Sequence, residues 1–392
     1  MNGGGLMSSY SPSWLKEEHA IFKEAAQRFF TNELGPQVEG WLEQGIVDRE
    51  AWRAAGQAGM LLTDMPVEYG GGGGDFGHEA LAMEAAESVG VAANMSMTVH
   101  STICAPYILN YGSEAQKKRW LPRMATGDAV AAIAMTEPGT GSDLQAIKTA
   151  AVKATEDGRD GYVLSGQKTF ISNGQHADII IVVARTGNDG AKGISLLVVE
   201  TDRAPGFRRG RKLEKLGQKA ADTSELFFDD VFVPRENLLG EEEGQGFYQL
   251  MSQLPRERLS VGVLAVAAMD RALSLTVDYV KQREAFGKTI ADFQNTQFKL
   301  AECTTEAHIA RVFVDSCIER LLRDELDTET ASMAKWWTSE KQCQIIDECL
   351  QLHGGYGYMW EYPIARMYAD ARVQKIYAGS NEIMKVLIAR GL

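Results

Sequence analysis

Four short stretches carry residue types that could do chemistry. In Met135–Leu144 (MTEPGTGSDL) a strand pattern runs into Pro-Gly-x-Gly. The hydroxyls of Thr136 and Ser142 sit there beside glycines that let a ligand lie close to the backbone. Gly166–Gly174 (GQKTFISNG) repeats the theme, since Phe170 and Ser172 share one face of a strand. A stacking ring beside a hydroxyl donor suits a planar heterocycle. An ordinary strand-to-loop turn and an ordinary packed aromatic would read the same way. Leu254–Ser260 (LPRERLS) reads as the start of a long helix, with Pro255 at N1 and Glu257 at N3 between Arg256 and Arg258. Glu257 is then either a carboxylate favoured by the positive end of the helix dipole or, with apolar residues following at once, one that faces a cavity. Ile376–Met384 (IYAGSNEIM) carries a tight turn at Ala378-Gly379, with Ser380 as the N-cap of a last helix. Ala378 has no chemistry of its own, and its place in that turn needs a reason.

Spacing argues against several other chemistries. Gly139 and Gly141 give GxG, but Leu144 stands where the third glycine of a dinucleotide fingerprint belongs, so a nicotinamide enzyme of the usual kind is not expected. The six histidines, from His19 to His353, show no paired ligand spacing, and no metal site is expected. Gly70–Gly74 lacks the Lys-Ser/Thr and the preceding strand of a phosphate cradle and reads as a flexible connecting loop. Five cysteines without a CxxC pair read as free thiols in a reducing compartment. A net charge of -13 argues against nucleic acid or an anionic membrane as the main partner, while permitting a local basic patch for an anionic ligand. The most apolar run, Ser260–Met269, is bounded by Arg258 and Asp270. It falls short of the ~20 residues a membrane span needs. The opening MNGGGLMSSYSPSWL has neither an arginine-rich amphipathic pattern nor an apolar targeting core. It reads as a short flexible leader, which leaves the cytoplasm as the expected address.

The elements that must position these stretches change along the chain. A length of 392 residues suggests two or three domains. From Ser13 to Arg123 apolar residues recur at helical spacing, as in EEHAIFKEAAQRFF and HEALAMEAAESVG. Near Ala129 the texture turns to short β-branched or aromatic runs (AVAAIAMT, DIIIVVAR, GISLLVVE, SELFFDDVFVP) between Gly, Asn and Asp turns. No helix-length segment alternates with them, so a mostly antiparallel sheet is expected, not a doubly wound one. After Gly240 three long helical patterns follow, Leu254–Gln282, Asp292–Arg323 and Asp327–Leu352, with Gly354-Gly355 stopping the third. The expected fold is α+β and multidomain: a helical domain over residues 1–127, an antiparallel β domain over 128–240 and a four-helix bundle over 241–392.

Taken together, AMTEPGTGSDL, FISNG, VKQREAFGKTIADFQ, QLHGGYGYMWEYP and IYAGSNEI resemble the acyl-CoA dehydrogenase family of flavoproteins, over nearly the whole chain. LPRERL, GRKLEKLGQKAADTSELFFDD and ASMAKWW look most like its long-chain members. The resemblance implies FAD, a homotetramer with the flavin near the subunit interface, and electron-transfer flavoprotein as acceptor. It implies that Ile133, Met135, Thr136 and Ser142, with Phe170, Ile171 and Ser172, hold the flavin, Ser172 beside its N5. Phe170 stands where many relatives have Trp, and Ser172 where many have Thr; ring and hydroxyl survive. Arg283, Phe286 and Gln294, with Gln351, His353, Gly354 and Gly355, match positions that bind FAD from a neighbouring subunit, and Ser380, Asn381 and Glu382 match cofactor contacts on the last helix. Ser142, Tyr248, Arg256, Arg258, Tyr377, Ala378 and Gly379 match the substrate side.

The family reaction removes a proton from the thioester α-carbon and passes hydride from the β-carbon to flavin N5, so it needs a carboxylate on the face opposite the flavin. In much of the family that carboxylate stands at the position matching Ala378. Long-chain and isovaleryl-type members carry it at the position matching Glu257, so the resemblance implies that Glu257 is the base and that the turn at Ala378 keeps only a backbone N–H for the thioester carbonyl. Two alternatives stay open: an oxidase or monooxygenase on the same fold, and a non-catalytic acyl-CoA-binding relative. The acyl group is not set by the motifs, because the tail pocket depends on the backbone around Val99–Tyr111.

Overall fold

A computed structural model describes residues 10–90, 94–188 and 190–392, so the first nine residues of the expected leader lie outside it. The first part is helical: α1 (Glu17–Phe29), α2 (Val38–Gln44), α3 (Arg49–Gln57), α4 (Phe76–Ser88), α5 (Asn94–Thr98), α6 (Ala105–Tyr111) and α7 (Glu114–Ala125). Polar caps set their starts: Asp75 accepts from Gly77 N ahead of α4, and Ser113 from Gln116 N ahead of α7. The glycine run before α4 is not the flexible loop expected. The amides of Gly71, Gly72, Gly73 and Gly74 donate to the carbonyls of Pro66, Leu62, Met65 and Thr63, and a Cβ at Gly71 would stand 2.3 Å from Met65 O. Glycine is there because the chain folds back onto itself too closely for a side chain.

Next come β1 (Ala131–Ala134), β2 (Ala150–Glu156), β3 (Arg159–Ser172), β4 (Ile179–Arg185), β5 (Ile194–Glu200), β6 (Phe207–Lys212) and β7 (Thr223–Pro234). They form one sheet in the order β1-β4-β2-β3-β7-β6, with β5 on the other side of β4. The pairing is mostly antiparallel; β1 runs parallel to β4, and β2 meets β4 in parallel at Ala150–Arg185. β4 is apolar from Ile179 to Ala184 because both its faces are covered there. Ile179, Ile181 and Val183 join the core shared with the helices, while Ile180, Val182 and Ala184 join a second core on the opposite face. β5 divides the same way, Leu196 and Val198 against Leu197 and Val199.

The last part is α8 (Gly246–Gln282), a hairpin of β8 (Glu284–Ala285) and β9 (Lys288–Thr289), then α9 (Gln294–Leu322), α10 (Thr328–Leu352), α11 (Pro363–Ala371) and α12 (Asn381–Arg390). The start of α8 corrects the sequence reading. It begins at Gly246, so Pro255 is inside the helix and Glu257 lies in its fourth turn instead of at N3. An interior proline costs about 3 kcal/mol, and burial of Gln249, Leu250 and Gln253 on the preceding turns carries the helix through it. The dipole therefore has no hold on Glu257. Among the described residues α8 is the one helix long and apolar enough to cross a membrane, and 72% of its apolar window is buried within the protein, as for a core helix.

Candidate active site

Glu257 is 5% exposed, and its Oε1 accepts a 2.8 Å hydrogen bond from the hydroxyl of Tyr107 on α6. Burial pushes its carboxyl up to about 7; the Tyr107 bond and then the neighbouring Arg258 and Arg256 charges pull the other way and do not cancel it. A buried carboxyl poised near neutrality is the state a general base needs. The flanking arginines part company. Arg258 is buried, its Nη1 donating to Ser332 Oγ at 3.4 Å while Nε has no partner. Arg256 turns to the first domain, where it pairs with Asp64, donates to Thr102 O at 3.2 Å and lies over the Phe76 ring. Its guanidinium is held there by those three contacts. Tyr248, on the first turn of α8, is 46% exposed.

The turn before α12 is as the sequence suggests. Ala378 and Gly379 take left-handed φ of 53° and 90°, and Ser380 Oγ accepts from Ile383 N as the N-cap. A fully buried lysine holds it: Lys335 Nζ donates to Gly379 O at 2.7 Å and to Asn381 Oδ1 at 2.9 Å. Burial pushes that amine down to about 7. Asn381 also donates to Ser339 and Glu340, so its side chain serves the joint between α10 and α12. Tyr377 packs against the core with its hydroxyl buried, while Glu382 is exposed.

The flavin-type stretches meet across β1 and β3. Thr169 N donates to Thr136 O, and Lys168 Nζ reaches Met135 O at 3.0 Å, Val183 O at 2.7 Å and Glu137 Oε1 at 2.9 Å. Glu137 also accepts from Lys148 N and Thr149 N, and its backbone bridges Thr140 across the Pro-Gly turn. This buried pair fixes both loops to one another. Ile133, Met135 and Thr136 are half-buried, Ser142 is exposed and Ile171 is buried between Phe170 and half-buried Ser172. Phe170 sits at a β-bulge with φ 59° and is 67% exposed, a ring held outward by strained backbone. A Cβ at Gly139 or Gly141 would meet nothing within 4 Å, so this chain's own packing does not require those glycines. A displayed ring, nearby hydroxyls and bare backbone fit a planar cofactor lying against the loop.

A second group gathers at the far end of α8. Arg283 lies over Tyr356, Tyr279 stacks on His353 at 4.3 Å, and Phe286 forms the tip of the β8–β9 hairpin at 96% exposure. Gln294, Gln351, Gly354 and Gly355 are exposed beside it, whereas His353 is buried, with Nδ1 on Cys349 O.

Family models match all three parts: acyl-CoA dehydrogenase N-terminal domain over residues 16–128, middle domain over 132–231 and C-terminal domain over 244–392. The chain belongs to the acyl-CoA dehydrogenase family. As a member it is an FAD-binding oxidoreductase acting on acyl-CoA. Among acyl-CoA dehydrogenases it is 50% identical over 376 residues, 95% of this chain and 86% of the relative, to the mitochondrial long-chain specific enzyme of Sus scrofa. It superimposes on an acyl-CoA dehydrogenase from Geobacillus kaustophilus with TM-score 0.93 at 48% identity, covering 97% and 99% of the two chains. An acyl-CoA dehydrogenase from Bacillus anthracis, complexed with FAD, gives TM-score 0.90 at 32% identity, over 97% of this chain and 68% of that one.

Tyr107, Glu137, Lys168 and Lys335 escaped the sequence reading. Three of them stand in quoted motifs (TEPGTG, GQKTF, ASMAKWW), where a charged residue among buried neighbours was the available signal. The structure also brings His19, Asp75 and His78 within ligand distance of one another, which histidine spacing alone did not foresee. Their ligand atoms are already used. His19 Nδ1 accepts from Lys16 N, which leaves the proton on Nε2 to donate to Asp75 at 2.8 Å, and His78 Nδ1 accepts from Asp75 N. The cluster caps α1 and α4.

Proposed function

We propose that this protein oxidises long-chain acyl-CoA to trans-2-enoyl-CoA in fatty-acid β-oxidation, with Glu257 as the α-proton base. The single observation that carries the reading is Glu257 itself: a buried carboxyl raised to about 7, on a chain whose other family base position is Ala378. FAD, when bound, supplies the hydride acceptor. The chain's own residues do the rest. Phe170, Ser172 and the Thr136 loop orient the cofactor, and the Ala378-Gly379 turn, pinned by Lys335, offers backbone N–H to the thioester carbonyl and so acidifies the α-proton. Glu257 takes that proton, and the surrounding apolar residues exclude water. The 50% identity to a long-chain specific enzyme supports the chain-length assignment.

The reading includes a homotetramer in the cytoplasm, with an electron-transfer flavoprotein as acceptor. Arg283 lies 26 residues beyond Glu257, about 39 Å along the helix. The second group of flavin-type residues is therefore too distant to share one small ligand with this chain's own base, which supports its use by a neighbouring subunit. The exposed Phe286 tip supports an interface there.

The test is an anaerobic titration of the yellow protein with acyl-CoA esters of increasing length, following loss of flavin colour. Glu257→Gln should bind long-chain substrate without bleaching, a loss of about 10⁴-fold in reduction rate. A Glu257→Gln protein reduced at the wild-type rate would refute the base assignment.

A further inference from the structure

Two helices face each other through side chains one turn apart. On α6 these are Tyr107 and Tyr111; on α8 they are Gln249, Gln253 and Glu257. Tyr111 Oη donates to Gln249 O at 3.3 Å and accepts from Gln253 Nε2 at 3.1 Å, while Tyr107 Oη donates to Glu257 Oε1 at 2.8 Å. Gln249 is fixed in turn by donating to Leu239 O at 3.1 Å. Tyr107 is fully buried, so no water competes for its hydroxyl. Among the described residues no other hydrogen-bond donor reaches the Glu257 carboxylate.

We propose that Tyr107 is a positioning residue that grips Oε1 of Glu257 and leaves Oε2 as the oxygen that takes the α-proton. The proposal rests on the reading of Glu257 as base. In the step itself the Cα–H bond breaks and an O–H bond forms at Oε2. The electron pair left on carbon becomes the new double bond as hydride leaves the β-carbon for the FAD that the family carries. Tyr107 keeps its own proton throughout, since burial and the carboxylate push its hydroxyl well above the ordinary range. The other groups facing Glu257 are few. Arg256 and Arg258 are on its own helix, and the Cys104 thiol, on the turn before α6, is pushed up by burial and stays neutral. A hydrogen bond to a carboxylate favours its charged form, so Tyr107 also keeps the base ionised at lower pH than burial alone would allow.

The test compares Tyr107→Phe and Tyr111→Phe with wild type in two ways. Stopped-flow flavin reduction across pH gives the ascending limb. Difference infrared spectroscopy of the flavin-loaded protein without substrate gives the Glu257 carboxyl titration, its band assigned by absence in Glu257→Gln. Tyr107→Phe should move both midpoints about 1–2 pH units upward and lower the high-pH plateau. Tyr111→Phe should leave both midpoints in place. Unmoved midpoints in Tyr107→Phe, or equal movement in Tyr111→Phe, would overturn the proposal. A fully active Glu257→Gln would overturn the base reading instead, while the infrared midpoint would still report the grip of Tyr107.

Discussion

A side chain suited to accepting a proton is, for the same reason, poorly suited to being buried. Glu257 ionises near about 7 in the folded protein against an ordinary carboxyl value of 4.5. Below pH 4.5 it is protonated folded or unfolded and contributes nothing to the balance. Between the two values the unfolded chain ionises first, so stability falls as pH rises. Above about 7 the full cost, about 3 kcal/mol, is present. Glu257→Gln should therefore raise the unfolding midpoint at pH 8, and the gain should vanish toward pH 4; a variant less stable than wild type at pH 8 would contradict this. Glu257 was legible because its motif surrounds it in sequence. Tyr107 was not, because its partner is 150 residues away and nothing local distinguishes a tyrosine that holds a carboxylate from one that fills a core. Phe170 was legible as a ring, but its outward display depends on a bulge in β3 that spacing alone does not specify.

At the scale of elements, the strands and long helices could be read because apolar runs and helical periodicity are themselves the physical cause of burial on one or two faces. Boundaries were harder. Pro255 pointed to a helix start, and tertiary packing carried α8 two turns further upstream. The glycines at residues 70–74 pointed to mobility, and backbone hydrogen bonds pinned them instead. The joint between α10 and α12 was invisible in sequence, since Lys335 and Gly379 are 44 residues apart. Lys335→Met leaves the Gly379 carbonyl without its donor and the Asn381 amide oxygen with the Ser339 hydroxyl at 3.2 Å alone, which should cost about 1–3 kcal/mol in denaturant unfolding. Gly379→Ala should cost about 1–2 kcal/mol through its left-handed φ of 90°, and its Cβ would meet Met384 Cε at 2.6 Å. Unchanged midpoints in both would show that the turn is not held in this way.

At the scale of the whole molecule, flavin retention and assembly should be linked, because the Arg283–Gln294 segment follows the end of α8 that is far from the base. Arg283→Ala should weaken both, read by sedimentation and by flavin absorbance per polypeptide; a monomer with full FAD occupancy would break the link. The placement of α8 has a consequence for biosynthesis. Its apolar surface packs against α4, α9 and α10, yet α9 and α10, which reach 70 residues further to Leu352, are still unmade when Gln282 is added. At roughly 5–20 residues per second, that is an interval on the order of ten seconds. During it the nascent chain displays a helix with the length and apolarity of a membrane segment. Ribosome-bound intermediates of this chain should therefore be substrates for holdase chaperones, and chains truncated between α8 and α10 should be insoluble although their first two domains are complete.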